Sequence, residues 1–358
     1  MKHIDQDEII VLLGAGASVD AGIPHSTKMI ENIERKLIAG DSVWKEYERL
    51  YNYVQSAIYF SEGIKQRFSA NINYNIETLI DTLNEIIGIN KHTLYPFVES
   101  WSPRLLEFAG NDYRLVKQFR KRIVDALRTD WLTVRNYDTD AQYYSGLLDF
   151  RDKLQVHLRV FTLNYDLCLE RISETRNIQL QRGFDRRRHW TESEFDENRN
   201  KSDALYLYKL HGSMDWTYED GFLTYLDDPS AISEAAIIFG ESYKLEYQDP
   251  FLYFINEFRK WTLRSRIILA VGYGFGDEHI NKIMHQALQS SSERLLLAVG
   301  PMSADLNAHR RKIAEDIGCS GVDQVLVCDS TASQFFTEQL TVDLMKEYLE
   351  RSAESPPF

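Results

Sequence analysis

Residues 14–24 read Gly-Ala-Gly-Ala-Ser-Val-Asp-Ala-Gly-Ile-Pro and follow directly on the apolar run Ile9-Ile10-Val11-Leu12-Leu13. A buried parallel strand reads as a short continuous apolar run, and glycines such as Gly14 and Gly16 permit conformations and close approaches that a Cβ forbids. A nucleotide diphosphate would sit at such a junction. A helix starting near Ser18 or Val19 would offer it unpaired N–H groups and a positive dipole end without any lysine. The loop lacks the Gly-Lys-Ser/Thr of a P-loop, and taken alone its glycines also suit any tight strand-to-helix turn. Two later segments, Phe161-Thr162-Leu163-Asn164-Tyr165-Asp166 and Lys209-Leu210-His211-Gly212-Ser213, add groups able to orient water or take a proton. An asparagine amide is both donor and acceptor, and a histidine titrates near neutrality. Each has a structural alternative: Asn164 as an Asx-turn, Asp166 as the N-cap of a helix Leu167-Cys168-Leu169-Glu170, and His211 as a satisfied core histidine.

Gly14-Ala15-Gly16-Ala17-Ser18 with Ala21-Gly22-Ile23-Pro24 resembles the nucleotide-binding opening of sirtuins, a family of NAD-consuming enzymes. Thr162-Leu163-Asn164-Tyr165-Asp166 resembles the family's Thr-Gln-Asn-x-Asp segment, and Lys209 to Ser213 its strand with the catalytic histidine. Ile237-Ile238-Phe239-Gly240-Glu241 is similar to its Phe-Gly-Glu, and Ile267 to Gly274 to its apolar strand ending in a glycine turn. The resemblance covers residues 8–25 and 155–300. It implies an α/β fold, a Rossmann-like doubly wound parallel sheet, and leaves the stretch between the two parts, read below as a helical insertion, without a counterpart. It further implies NAD+ as substrate, bound by Gly14, Ala15, Gly16, Ser18, Ile23, Thr162, Gly272 and Tyr273, with Asn164 and His211 catalytic and Asp166 accepting from the nicotinamide carboxamide.

Sirtuin deacylases carry a structural zinc on two Cys-x-x-Cys pairs, a closed site needing four ligands. Here Cys168, Cys319 and Cys328 form no such pair, so no structural zinc is expected, and His25-Ser26-Thr27-Lys28 stands where deacylases run on to Phe-Arg. The chain thereby resembles the bacterial sirtuin-like NAD glycohydrolases of anti-phage defence. That likeness implies depletion of NAD+ with release of nicotinamide and ADP-ribose. Because such an enzyme unchecked would empty its own cell, gating by homo-oligomer assembly or by a partner is expected, and the likeness points to a HerA-type ATPase first and a short Argonaute protein next. The bond to be cleaved has a cationic leaving group and gives an oxocarbenium-like centre, so positioning and electrostatics carry the catalysis. Asn164 and His211 are expected to have little core burial at stake. An NAD-dependent protein deacylase and a non-catalytic sensor of NAD or ADP-ribose are the alternatives.

Between the first motif and Phe161 the apolar spacing turns helical. Ile76, Leu79, Ile80, Leu83 and Ile86-Ile87 form one stripe; Leu115-Val116, Phe119, Ile123-Val124, Leu127 and Trp131 form another. Residues 1–38 and 151–358 are therefore read as the nucleotide-binding domain and 39–150 as an inserted helical module, with an aromatic connector from Leu94 to Trp101. Leu295 to Gly300 reads as a late strand, Asp277 as a helix cap after Gly274-Phe275-Gly276, which would lie near the adenosine, Phe335 to Tyr348 as a helix, and Ser352 onward as a frayed tail. Arg182, Arg186, Arg187 and Arg188 beside Glu192, Glu194, Asp196 and Glu197 read as a solvated, self-neutralising loop.

The formal charge of −13 argues against a generic nucleic-acid binder, which needs concentrated positive charge. Apolar stretches are too short for a bilayer, no leader pattern opens the chain, and few, scattered cysteines point to a reducing compartment. A cytoplasmic protein without membrane contact is expected.

Overall fold

The computed structural model describes residues 4–64, 74–88, 103–110, 112–197, 204–232, 235–237, 249–302, 305–319 and 321–354. Phe239-Gly240-Glu241 and the Leu94 to Trp101 connector lie outside them. By packing, the chain divides into one unit built on residues 1–23, 133–238 and 245–358 and another built on residues 24–132.

Strand formation in the first unit follows the apolar runs. β1 (Ile9–Leu13), β2 (Leu158–Thr162), β4 (Leu205–Lys209) and β7 (Ile267–Val271) are buried along their whole length. With β3 (Leu180–Gln181), β8 (Leu295–Gly300) and β9 (Val325–Asp329) they form a sheet in the order β3-β4-β2-β1-β7-β8-β9, every pairing parallel. Val11 sits opposite Val160 on one side and Leu269 on the other. A parallel sheet needs cover on both faces, which is why these strands read as continuous rather than alternating. The doubly wound architecture expected from the resemblance is the one found. A separate hairpin, β5 (Trp216–Glu219) and β6 (Phe222–Tyr225), turns through Asp220-Gly221, both with positive φ as a two-residue turn between twisted strands requires.

The second unit is helical. α1 (Ser26–Ile38), α2 (Glu48–Ile64), α3 (Ile76–Gly88), α4 (Pro103–Ala109) and α5 (Arg114–Ala126) carry the predicted stripes: Ile76, Leu79, Ile80 and Leu83 of α3 and Val116, Phe119 and Ile123 of α5 are buried. A wider turn over Leu127–Trp131 continues α5. Tyr47 stacks on Phe119 at 5.0 Å and Trp44 meets the same ring edge-on at 6.4 Å. The Lys36 ammonium lies over Trp44 and Trp131, at 5.3 and 5.8 Å from the ring centroids.

The sheet unit is flanked by α6 (Ser145–Leu154), α7 (Cys168–Thr175), α8 (Phe251–Thr262), α9 (Glu278–Gln289), α10 (Leu306–Ile317) and α11 (Val342–Glu354). Aromatic rings fill the space between α8 and the sheet. Phe161 stacks on Tyr208 at 4.5 Å, and Phe258 packs edge-on against Phe161 at 5.1 Å. Burying each such ring stabilises the unit by about 2–3 kcal/mol.

Three local expectations are corrected. No α-helix starts at Ser18 or Val19: a single 3-10 turn spans Ala15–Ser18, and α1 begins only at Ser26. The chain is closed off in between by Gly22, left-handed at φ 90°, with Ile23 N–H bonded to the Ser18 carbonyl and Gly22 N–H to that of Val19, the pattern that terminates a helix. The helix expected over Phe335 to Tyr348 is broken at Leu340, which is extended, because the Thr341 hydroxyl accepts from the Leu344 amide and starts α11 afresh. Because α11 runs on to Glu354, the tail does not begin at Ser352.

Candidate functional site

The sequence-predicted residues come from the carboxyl ends of four strands. Gly14 follows β1, Asn164 and Asp166 follow β2, His211 follows β4, and Gly272 and Tyr273 follow β7. β1 is flanked by β2 and β7, the strands from which the winding proceeds in opposite directions. In an open parallel sheet the crevice at that switch point is where ligands bind, since the flanking loops diverge there.

The glycines serve one close approach of backbones. A Cβ on Gly272, left-handed at φ 65°, would stand 2.1 Å from the Ala17 nitrogen, and one on Gly14 would stand 2.6 Å from the Gly272 carbonyl oxygen. Gly16 N–H donates to the Gly272 carbonyl (2.8 Å), Gly14 N–H to that of Val271 (3.0 Å), and Ala17 N–H to that of Gly14 (2.9 Å). The amides of Gly16 and Ala17 are therefore taken up in locking the β1 loop to the β7 loop and to itself. Ala15 remains exposed, its N–H without a hydrogen bond among the described residues. Ile23 is buried.

Asn164 reaches across to this loop. Its Nδ2 donates to the Gly14 carbonyl (2.9 Å) and to Ser18 Oγ (3.1 Å), which leaves Oδ1 with no hydrogen bond among the described residues. The turn that presents it is made by Thr162, whose Oγ1 accepts from the Asn164 amide at 3.0 Å. Asn164 thus does not spend its side chain on its own backbone. Asp166 is more committed: Oδ1 accepts from the Cys168 amide (3.0 Å) at the start of α7, and Oδ2 from Ser18 Oγ (2.7 Å). The helix cap residue is Leu167, one place later than expected. Burial and the Asp166 carboxylate push the Cys168 thiol well above its ordinary range, so it stays protonated. Sequence reasoning missed Tyr143 and Tyr144. Tyr143 OH donates to the Ala17 carbonyl (2.6 Å), and Tyr144 OH lies 2.9 Å from Ser18 Oγ. No motif surrounds them, and 126 residues separate Tyr144 from Ser18.

His211 is only 5% exposed, so the expectation of little burial is corrected for it. Its Nε2 stands 3.3 Å from Asp277 Oδ2, while its Nδ1 is buried without a hydrogen-bond partner among the described residues. Asp277 is the cap predicted for α9, its Oδ1 accepting from the His279 and Ile280 amides. Tyr273 OH donates to Asn281 Oδ1 (2.8 Å) and accepts from the Asp277 amide (3.2 Å), fixing the turn between them. Beneath the site lies a buried charge cluster. Lys209 Nζ donates to the Asp166 carbonyl and pairs with Glu170 (2.9 Å), and Arg182 pairs with Asp215 at 2.6 Å. Arg182 is therefore not part of a solvated loop; desolvation is offset by ion pairs with residues distant in sequence. Arg188, by contrast, pairs with Asp227 at 2.7 Å on the exposed surface, as a solvated, self-neutralising loop requires.

Among the described residues no group of three or more His, Cys, Asp or Glu is placed to hold a metal ion, and no helix is long and apolar enough to cross a membrane.

Residues 158–320, less than half of the chain, match a family model described as a SIR2-like domain. The match takes in Asn164, Asp166, His211, Gly272 and Asp277 and stops short of the Gly14 loop. No curated protein matches the chain. Among solved structures, a mutant Sir2 homologue in complex with 2'-O-acetyl ADP ribose is similar at 11% identity, covering 98% of this chain and 94% of that one, TM-score 0.43. A structure from a study of the mechanism and regulation of Sir2 enzymes is similar at 13% identity, covering 98% and 95%, TM-score 0.40. A Sir2 homologue–NAD complex is similar at 12% identity, covering 96% and 89%, TM-score 0.36.

Proposed function

We propose that this chain hydrolyses the bond between nicotinamide and ribose in NAD+, releasing nicotinamide and ADP-ribose. One observation carries the reading: at the switch point of the sheet, Asn164 is tied by both amide hydrogens to the glycine loop, and its Oδ1 and the Nδ1 of His211 have no hydrogen-bond partner among the described residues. The SIR2-like match over the segment holding both residues supports it. In this reading the glycine loop and the Ala15 amide receive the diphosphate. The C1′–N bond breaks with its electron pair passing to the pyridinium nitrogen, which becomes neutral nicotinamide. Water bonds to C1′ as Asn164 Oδ1 accepts a hydrogen bond from it or from a ribose hydroxyl, and the proton it loses passes to His211. Such charge development is stabilised best by preorganised dipoles in a site shielded from water.

An unchecked enzyme of this kind would empty its own cell of NAD+. We therefore propose that a cytoplasmic defence role is gated by assembly of the chain or by a partner, a HerA-type ATPase being the first to test. Purified protein is incubated with NAD+, alone and with such an ATPase, and nicotinamide and ADP-ribose are followed by chromatography beside Asn164→Ala. Equimolar products lost in the variant are expected. NAD+ that binds without cleavage in both mixtures overturns the hydrolase, and nicotinamide release that requires an acyl-lysine peptide replaces it with a deacylase.

A further inference from the structure

We propose that Asp277 is the positioning residue of His211: its Oδ2 holds the imidazole with the proton on Nε2, which leaves Nδ1 as the proton acceptor. The substrate, though not the arrangement, rests on the hydrolase reading above. Two oxygens of one carboxylate have separate tasks here. Oδ1 accepts from two amides at the start of α9, at 3.0 and 3.3 Å, and Oδ2 faces His211 Nε2 at 3.3 Å. Capping alone does not call for aspartate, because serine, threonine or asparagine caps a helix equally well. Of these caps only the carboxylate selects the tautomer with the hydrogen on Nε2: it accepts and never donates, so the ring nitrogen beside it carries the hydrogen. The other nitrogen is then a bare lone pair. Nδ1 is buried and unpartnered among the described residues, a condition that is costly unless a ligand uses it.

The turn that delivers Asp277 is fixed by its own hydrogen bonds. Phe275 is left-handed at φ 55°, and its carbonyl accepts from Asn281 Nδ2 at 2.8 Å. Tyr273 OH closes the other side by accepting from the Asp277 amide. The side chains of both His211 and Asp277 are 6% exposed, so their approach takes place away from bulk water, where a charge contact is strong. As the attacking water bonds to C1′, one of its protons passes to Nδ1, and the resulting imidazolium is stabilised by the Asp277 carboxylate until the proton leaves to solvent.

The test uses the full chain labelled with 15N-histidine, with His211→Gln to assign the His211 resonances, and the variants Asp277→Asn and Asp277→Ser, both of which keep a helix cap. The wild type is expected to show protonated Nε2 and bare Nδ1. In Asp277→Asn an amide hydrogen points at Nε2, so the proton moves to Nδ1 in part or whole. With NAD+, kcat then falls by at least about 100-fold while KM changes less than about threefold. Protonated Nδ1 in the wild type, or an unmoved tautomer in Asp277→Asn, overturns the proposal, as does unmoved kcat in an active enzyme. If the wild type cleaves no NAD+, the hydrolase reading fails while the tautomers still decide for or against Asp277.

Discussion

At the scale of the residue, Asn164 shows how one side chain holds structure and offers chemistry together. Its two amide hydrogens bridge 150 and 146 residues of sequence to Gly14 and Ser18, and the remaining oxygen has no hydrogen bond among the described residues. Asn164→Asp keeps the shape but brings a charged oxygen against the Gly14 carbonyl. It is expected to lower the free energy of unfolding by about 1–3 kcal/mol, read by denaturant titration, and to abolish nicotinamide release. The sequence made Asn164 and His211 stand out by type and spacing. It did not say which of their atoms were already spent, because that depends on Ser18, Gly14 and Asp277, none of them neighbours in the chain.

At the scale of the element, the loops after β1 and β7 pack with no room for a side chain. Gly272→Ala would force a Cβ to 2.1 Å from the Ala17 nitrogen at a left-handed φ. It should destabilise the protein by more than about 2 kcal/mol. Gly274→Ala has nothing within 4 Å and no positive φ, and should stay within about 0.5 kcal/mol; thermal unfolding of the two separates them. The strand β4 is tied to α7 by Lys209 and Glu170, with Arg182 and Asp215 beside them. Burial raises the Asp215 carboxyl, but Arg182, Lys209 and the Ser213 hydroxyl outweigh it and hold the group below its ordinary value. The stability this supplies is complete above about pH 4, where the unfolded carboxyl is ionised, and is lost as pH falls through the lower folded value. Denaturant titrations at falling pH should show that acid loss in the wild type. It should be shallower in Asp215→Asn, which already loses up to about 3 kcal/mol at neutral pH by leaving Arg182 with only its longer, 3.9 Å contact to Glu170.

At the scale of the whole molecule, the charge of −13 is fixed by composition. It leads us to expect no retention on a heparin column at about 0.15 M salt, and binding there would overturn the exclusion of generic polyanions. The sequence by itself determined the strands β1, β7 and β8, the helical stripes of α3 and α5, the cap at Asp277 and the residues at the strand ends. These follow from local apolar runs, periodicity and turn chemistry, which act over a few residues. Where helix signals met competing closures, as at Gly22 and Thr341, the local reading was misplaced, since propensity does not say which hydrogen bonds win. Only the tertiary structure decided that Tyr144 meets Ser18, that Arg182 is buried on Asp215, and that the cap of α9 also faces His211. Those contacts join segments tens to more than a hundred residues apart, and they exist because a doubly wound parallel sheet brings the ends of distant strands to one edge.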